Sequence, residues 1–319
     1  MVAAVETMAY VGQVPWHGLG EKVEADISLD DFRIKAGLGW RVSKRSVQYG
    51  TDGMHSAPTL SFKDKFVLAR DTDDHPYAVV SGRYKPVQPK QIFEFFRDLL
   101  SAHGMRMHTA GSLMDGARIW ALAETGDSAF IKGIDKVDGY LLLSTSYDLT
   151  LSTLAQFTSV RVVCNNTLQQ ALKDSSGRVT IPHMSDFDPE TIKDDLGLGR
   201  EQWGAFTAAL NTMAKIRIDV CKATEIMDNV FKLPKDYEKK QLDPNRVHAC
   251  NIVNLFDSQR FTGADLAGKT AWGLLNTTTE YIDHYKRARN SGNRLNSAWF
   301  GEGANIKGAA MKELMLLAA

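Results

Sequence analysis

The feature that most constrains this chain is a change in the spacing of its apolar residues near His183. Before that point, runs of period-two or β-branched character recur: Arg41–Tyr49, Thr59–Arg70, Tyr77–Val87, Arg106–Gly111, Ala117–Glu124, Gly139–Leu151, Leu154–Val163 and Arg178–Ile181. Gly50–Gly53 and Asp71–Pro76 separate the first three with turn-forming residues. One amphipathic helix interrupts the series. From Pro89 to Gly104, the residues Ile92, Phe95, Phe96, Leu99 and Leu100 fall on one helical face. The proline suits a first turn and the glycine a stop. A shorter helix is predicted over Asp30–Gly37. Beyond His183 the spacing is helical, over Arg200–Ala214, Ala223–Phe231, Asn245–Phe256 and Lys269–Arg289. The expected fold is therefore α+β: an antiparallel β-sheet with a packed helix in an N-terminal lobe, residues 1–182, followed by a mainly helical C-terminal lobe, residues 183–319.

Composition narrows the class. With 44% hydrophobic and 24% charged residues the chain is not one that stays disordered. No run approaches the ~18 consecutive apolar residues of a bilayer span, and MVAAVETMAY lacks the basic-then-apolar order of a secretory signal, so no membrane association is expected. Cys164, Cys221 and Cys250 are odd in number and far apart, which predicts reduced thiols and a cytoplasmic setting. Net charge is zero but unevenly spread. Ser258–Lys312 holds 8 Lys/Arg against 4 acids, whereas His183–Asp257 holds 10 against 13.

Candidate contacts follow from where cations meet aromatic or hydroxyl residues. Leu154–Lys173 reads as a strand running into a helix capped by Asn165 or Asn166, with Arg161 on the more polar strand face beside the helix N-terminus. If the third strand alternates unbroken, Ser81, Arg83 and Lys85 share a face next to Tyr84, while Lys44 and Arg45 on the first strand point to opposite faces. Ser144, Ser146, Asp148 and Thr150 would form a hydroxyl-rich strand face suited to phosphate oxygens. Lys286, Arg287 and Arg289 cluster at the end of the Lys269–Arg289 helix, before a flexible exit Asn290–Arg294, with Tyr285, Trp299 and Phe300 near enough for stacking. Each of these also has a structural reading: a solvated sheet face, or cations complementing a helix dipole. His248 and Cys250 lie two apart, a spacing that turns them away from each other on a helix, so no metal is expected. Gly301–Gly308 does not match a phosphate loop, and no cofactor is expected.

Pro15–Gly20 (PWHGLG), Tyr84–Val87 (YKPV), Val162–Leu172 (VVCNNTLQQAL), and Thr270–Arg287 with Phe300–Gly301 together resemble a family of phage- and plasmid-encoded proteins catalogued as a domain of unknown function. The resemblance implies a mobile element and a bacterial host cytoplasm. Strands followed by an apolar helix and more strands are also similar to the core of ring-forming single-strand annealing proteins, although this chain adds a large helical part. The resulting expectation is a non-enzymatic homo-oligomer that binds single-stranded DNA in recombination or replication, alongside host or phage replication proteins. Its contacts would be Lys44, Arg45, Arg83, Tyr84, Lys85, Arg161, Lys286, Arg287 and Arg289. A structural or host-partner-binding protein is the alternative. An enzyme using His17, Asp148 or His284 is the third reading, without paired carboxylates or a nucleophile elbow to support it.

Overall fold

The structure is a computed structural model that describes residues 5–12, 20–50, 59–161, 164–166, 178–196, 200–234 and 243–317. Pro15–Leu19, the Arg161 side chain and the helix expected over Thr167–Leu172 lie outside the described residues. In chain order the first elements are β1 (Val5–Val11), β2 (Glu21–Val23), α1 (Leu29–Lys35), β3 (Val42–Gly50), β4 (Thr59–Arg70), β5 (Pro76–Ser81) and α2 (Pro89–His103). Then come β6 (Arg106–Leu113), β7 (Arg118–Ile131), β8 (Asp135–Ser146), β9 (Thr153–Arg161), β10 (Cys164–Asn166) and β11 (Arg178–Ile181). Helices complete the chain: α3 (Pro189–Leu196), α4 (Arg200–Met213), α5 (Val220–Val230), α6 (Pro244–Asp257), α7 (Ala264–Ala267), α8 (Ala271–Glu280), α9 (Ser291–Phe300) and α10 (Glu302–Leu316). The fold is thus α+β, with most helices in the C-terminal half. One sheet has the order β10-β9-β8-β7-β6-β1-β2, with β11 paired to β9, and a second has the order β3-β4-β5.

Two units emerge, and their segments alternate along the sequence. The first gathers Met1–Ala123, Leu142–Ala155 and Val179–Asp194; the second gathers Glu124–Leu141, Gln156–Arg178 and Asp195–Ala319. The strands β7, β8 and β9 each begin in one and end in the other.

In the first unit, α2 has the boundaries its pattern demands. Gln88 donates its backbone N–H to Gln91 Oε1 at 2.8 Å, and Gly104 ends the helix at φ 67°. Ile92, Phe93, Phe95, Phe96 and Leu99 are buried, with Phe93 against Phe32 of α1 at 6.2 Å. Each such side chain contributes about 1.5–3 kcal/mol on burial. Where β1 crosses β6, a Cβ on Gly111 would lie 2.4 Å from the Thr7 carbonyl oxygen, so only glycine allows that approach.

The third strand is shorter than its alternation predicts. Tyr77–Val87 was expected, but β5 ends at Ser81 because the next backbone groups are engaged elsewhere. Gly82 N–H donates to Asp64 Oδ1 (3.0 Å), Lys44 Nζ donates to the Gly82 carbonyl (2.6 Å), and Tyr84 N–H returns to the Ser81 carbonyl (3.1 Å). Arg83 and Lys85 therefore do not share a strand face with Ser81.

The second unit is built around α8, every residue of which is buried. Thr270 caps it, accepting from Gly273 N–H at 3.1 Å. A Cβ on Gly273 would lie 2.0 Å from the Gly268 carbonyl oxygen, so the helix starts where only glycine fits. Ile252, Phe256, Trp272, Leu274, Leu275, Ala310 and Leu314 belong to one apolar core in this unit.

Cys164, Asn165 and Asn166 pair antiparallel with Arg161, Val160 and Ser159, so their backbone groups enter a ladder, while the helix expected to follow them lies outside the described residues. No single helix runs from Lys269 to Arg289. After α8 the chain adopts a π-helical turn, Tyr281–Tyr285, closed by Lys286 N–H to the Tyr281 carbonyl at 2.7 Å. Asn290 then caps α9, accepting from Asn293 N–H at 2.8 Å, so the anticipated flexible exit is a helix start.

Beneath the π-helical turn, Lys307 Nζ donates to Asp283 Oδ1 at 2.9 Å, with side chains 2% and 0% exposed. Truncating one partner leaves a buried charge. Lys307→Met is expected to destabilise the protein by about 3–5 kcal/mol, and pairing it with Asp283→Leu to recover most of that loss. Urea unfolding of both variants measures this; a single variant as stable as the parent would contradict it.

Candidate anion-binding cleft

The chain between the π-helical turn and α10 forms a cleft of about 330 Å³. Lys286, Arg287, Arg289 and Arg294 line it, with Asn293, Ser297 and, among the described residues, the single carboxylate Glu302. Ile282, from the π-helical turn, supplies an apolar wall. Three of the predicted site residues thus come together. The cleft is held by polar contacts: Lys286 Nζ is paired with Glu302, and Arg294 Nη1 donates to the Lys286 carbonyl at 2.9 Å. Arg287 and Arg289 are exposed and form no ion pair with a described residue. Four cations against one acid in a concave site focus a positive field into it.

Behind the cleft, the Tyr281 hydroxyl lies 2.8 Å from His248 Nδ1 and accepts from Asn251 Nδ2 at 3.2 Å. Burial, and then the Lys286 charge, hold the His248 pKa below its ordinary value, with Glu302 acting in the opposite sense. The imidazole is therefore held neutral where the cations gather.

Of the remaining predicted residues Arg161 belongs to the second unit, and Lys44, Arg45, Arg83, Tyr84 and Lys85 are in the first, where most of them are engaged. Arg45 pairs with Asp74 at 3.1 Å and Lys85 with Asp186 at 2.6 Å; both are surface pairs, worth about 0–1 kcal/mol. Lys44 also lies over the Phe66 ring, 5.8 Å from its centroid. Arg83 is exposed. Tyr84 is not a surface aromatic. It is 7% exposed, donates to the Ser146 carbonyl at 3.2 Å and stacks on His183 at 4.8 Å, so no base reaches it. Burial, and secondarily Asp148, push its hydroxyl pKa up.

The hydroxyl-rich strand face is likewise internal. Ser144, Thr145 and Ser146 are fully buried; Ser144 donates to the Ile119 carbonyl and Ser146 to the Leu151 carbonyl, each at 2.9 Å. β8 ends at Ser146, and Asp148 shapes the following bend by accepting from Thr150 N–H at 3.0 Å. Trp299 is buried, whereas Tyr285 is 55% exposed. Sequence reasoning did not place Arg294 and Glu302 in the site. The signal available was the Asn290–Asn293 cap, which starts a helix one turn before Arg294. Among the described residues no group of three or more His, Cys, Asp and Glu is arranged to hold a metal ion. No described helix is long and apolar enough to cross a membrane.

Residues 76–299 match the family described as Domain of unknown function (DUF932). The chain belongs to this family. No curated protein and no solved structure matches it. The matched stretch runs from β5 to α9, so it contains Lys286, Arg287, Arg289 and Arg294 and stops short of Glu302.

His183 and His248 make stability depend on pH. Burial lowers the folded pKa of each below 6.5, His183 against the opposing effect of its bond to the Leu151 carbonyl. The unfolded chain then takes up protons first, so the stability these groups contribute above pH 6.5 is lost as pH falls through their folded pKa values. Urea midpoints should decline on acidification below neutrality, and the double variant His183→Gln/His248→Gln should show a shallower decline. An unchanged pH profile would contradict the assignment.

Proposed function

We propose that the chain is a non-enzymatic nucleic-acid-binding protein whose cleft at Lys286–Arg294 holds phosphates of single-stranded DNA, in the replication or recombination of a mobile element. The observation that carries this reading is the cleft's charge: Lys286, Arg287, Arg289 and Arg294 converge on one concave site that contains one carboxylate. A helix dipole accounts for only part of it. Lys286–Arg289 follow the C-terminal end of the π-helical turn, where cations are favoured, but they also precede the N-terminus of α9, where they are not. Arg287 and Arg289 offer planar donors that match phosphate oxygens in pairs. Glu302 occupies Lys286 as an incoming phosphate would, so it acts as an internal competitor.

Fluorescence anisotropy with labelled oligonucleotides tests this. Single strands should bind at low salt, Arg287→Glu/Arg289→Glu should weaken binding at least tenfold with the fold intact, and Glu302→Gln should tighten it several-fold. Absence of binding by the parent protein at low salt would remove the proposal and favour a role in binding a protein partner.

A further inference from the structure

The outer half of the β3–β4 ribbon carries apolar and cationic side chains that are exposed among the described residues of the first unit. Every residue from Thr59 to Lys65 is exposed, as are Gln48, Tyr49 and Gly50 opposite them. Tyr49 is 48%, Leu60 43% and Phe62 54% exposed. Tyr49 pairs with Leu60 in the register, and strand alternation places Phe62 on the same face as Leu60. The Tyr49 and Phe62 rings meet edge-on at 6.4 Å. Two large aromatic rings exposed side by side on a two-stranded ribbon contribute little to its own stability, because neither removes much surface from water.

Charge selects the occupant. Lys63 and Lys65 follow these rings along β4, Lys63 alternating to the ribbon's other face, and neither forms an ion pair with a described residue. Ser81 is the register partner of Lys65, so the exposed Arg83 follows two residues beyond it. The one acid among them, Asp64, accepts the Gly82 N–H at 3.0 Å and so faces a backbone donor. We propose that this ribbon is a stacking platform for single-stranded nucleic acid, with Tyr49 and Phe62 against base faces, Lys65 and Arg83 on phosphates, and Lys63 reaching them round the β4 edge that β5 leaves unpaired. The inference rests on the nucleic-acid reading above and adds to it a second surface, with a reason to favour unpaired bases: a duplex keeps its base faces stacked on one another.

The test compares a dT oligomer with an abasic sugar-phosphate oligomer of the same length, which keeps the charge and lacks the bases. Tyr49→Ala/Phe62→Ala should weaken dT binding about tenfold or more, the loss of one or two stacked bases, and leave abasic binding unchanged. Lys63→Glu/Lys65→Glu should weaken both. All four side chains are exposed, so an unaltered thermal melt checks the fold. Equal loss for both oligomers in the aromatic variant, or no loss in either, overturns the platform. If dT binding responds to Arg287→Glu/Arg289→Glu and ignores the aromatic variant, the cleft reading stands and this one falls. A parent protein that binds no oligomer removes both. A concentration-dependent mass in solution that the aromatic variant abolishes assigns the face to a second copy, and also overturns it.

Discussion

A helix buried on every side must find partners for its polar groups at close range, and α8 finds most of them within its own unit, the Asn276 side chain being the exception among the described residues. Thr277, Thr278 and Thr279 each donate to the carbonyl four residues earlier, at 2.8, 2.8 and 2.9 Å. Trp272 Nε1 donates to Asp135 Oδ2 at 2.8 Å, and Glu280 Oε2 accepts from Thr262 N–H at 2.7 Å. A hydroxyl left unpaired in that position costs about 1–3 kcal/mol. The hydroxyl run Thr277–Thr279 is therefore compatible with a core position, and α8 acts as the post around which α4, α6 and α10 pack.

That post sets where the cleft lies. Its helical repeat gives way at Tyr281 to a π-helical turn, which presents Ile282 to the cleft and Asp283 to the buried Lys307. The turn is fixed on both sides, by His248 and Asn251 at the Tyr281 hydroxyl and by Lys307 at Asp283. Lys286 follows directly and is drawn to Glu302 at the start of α10. The cationic residues are thereby attached to the core and not to a free exit, so less ordering is left to be done when an anion arrives.

How much of this was legible depends on which interaction decides each boundary. The α2 helix was readable to within a residue because periodicity, Pro89 and Gly104 all act locally. The ends of β5 and β9 were not, because they are set by contacts remote in sequence: Asp64 and Lys44 at Gly82, and the return of Cys164–Asn166 along β9. The break after α8 was hidden because Tyr281–Tyr285 continues the apolar spacing of the helix before it. Tyr84 looked like a surface aromatic because Arg83 and Lys85 flank it, yet its side chain turns inward to Ser146 and His183. Of the expected contacts, the Lys286, Arg287 and Arg289 cluster was found as a cluster, since three cations within four residues stay close in any conformation.

The central claim is that these cations meet phosphates, and the salt dependence of oligonucleotide affinity measures that most directly. Three or four phosphate contacts in the cleft should contribute about −2 to −3 to the slope of log K against log salt for a single strand, each contact adding about −0.7. Neutralising Arg287 and Arg289 to Ala should reduce the magnitude of that slope by about 1.4. A slope that both proteins share would show that any anion bound by the chain is held elsewhere, and would contradict the account.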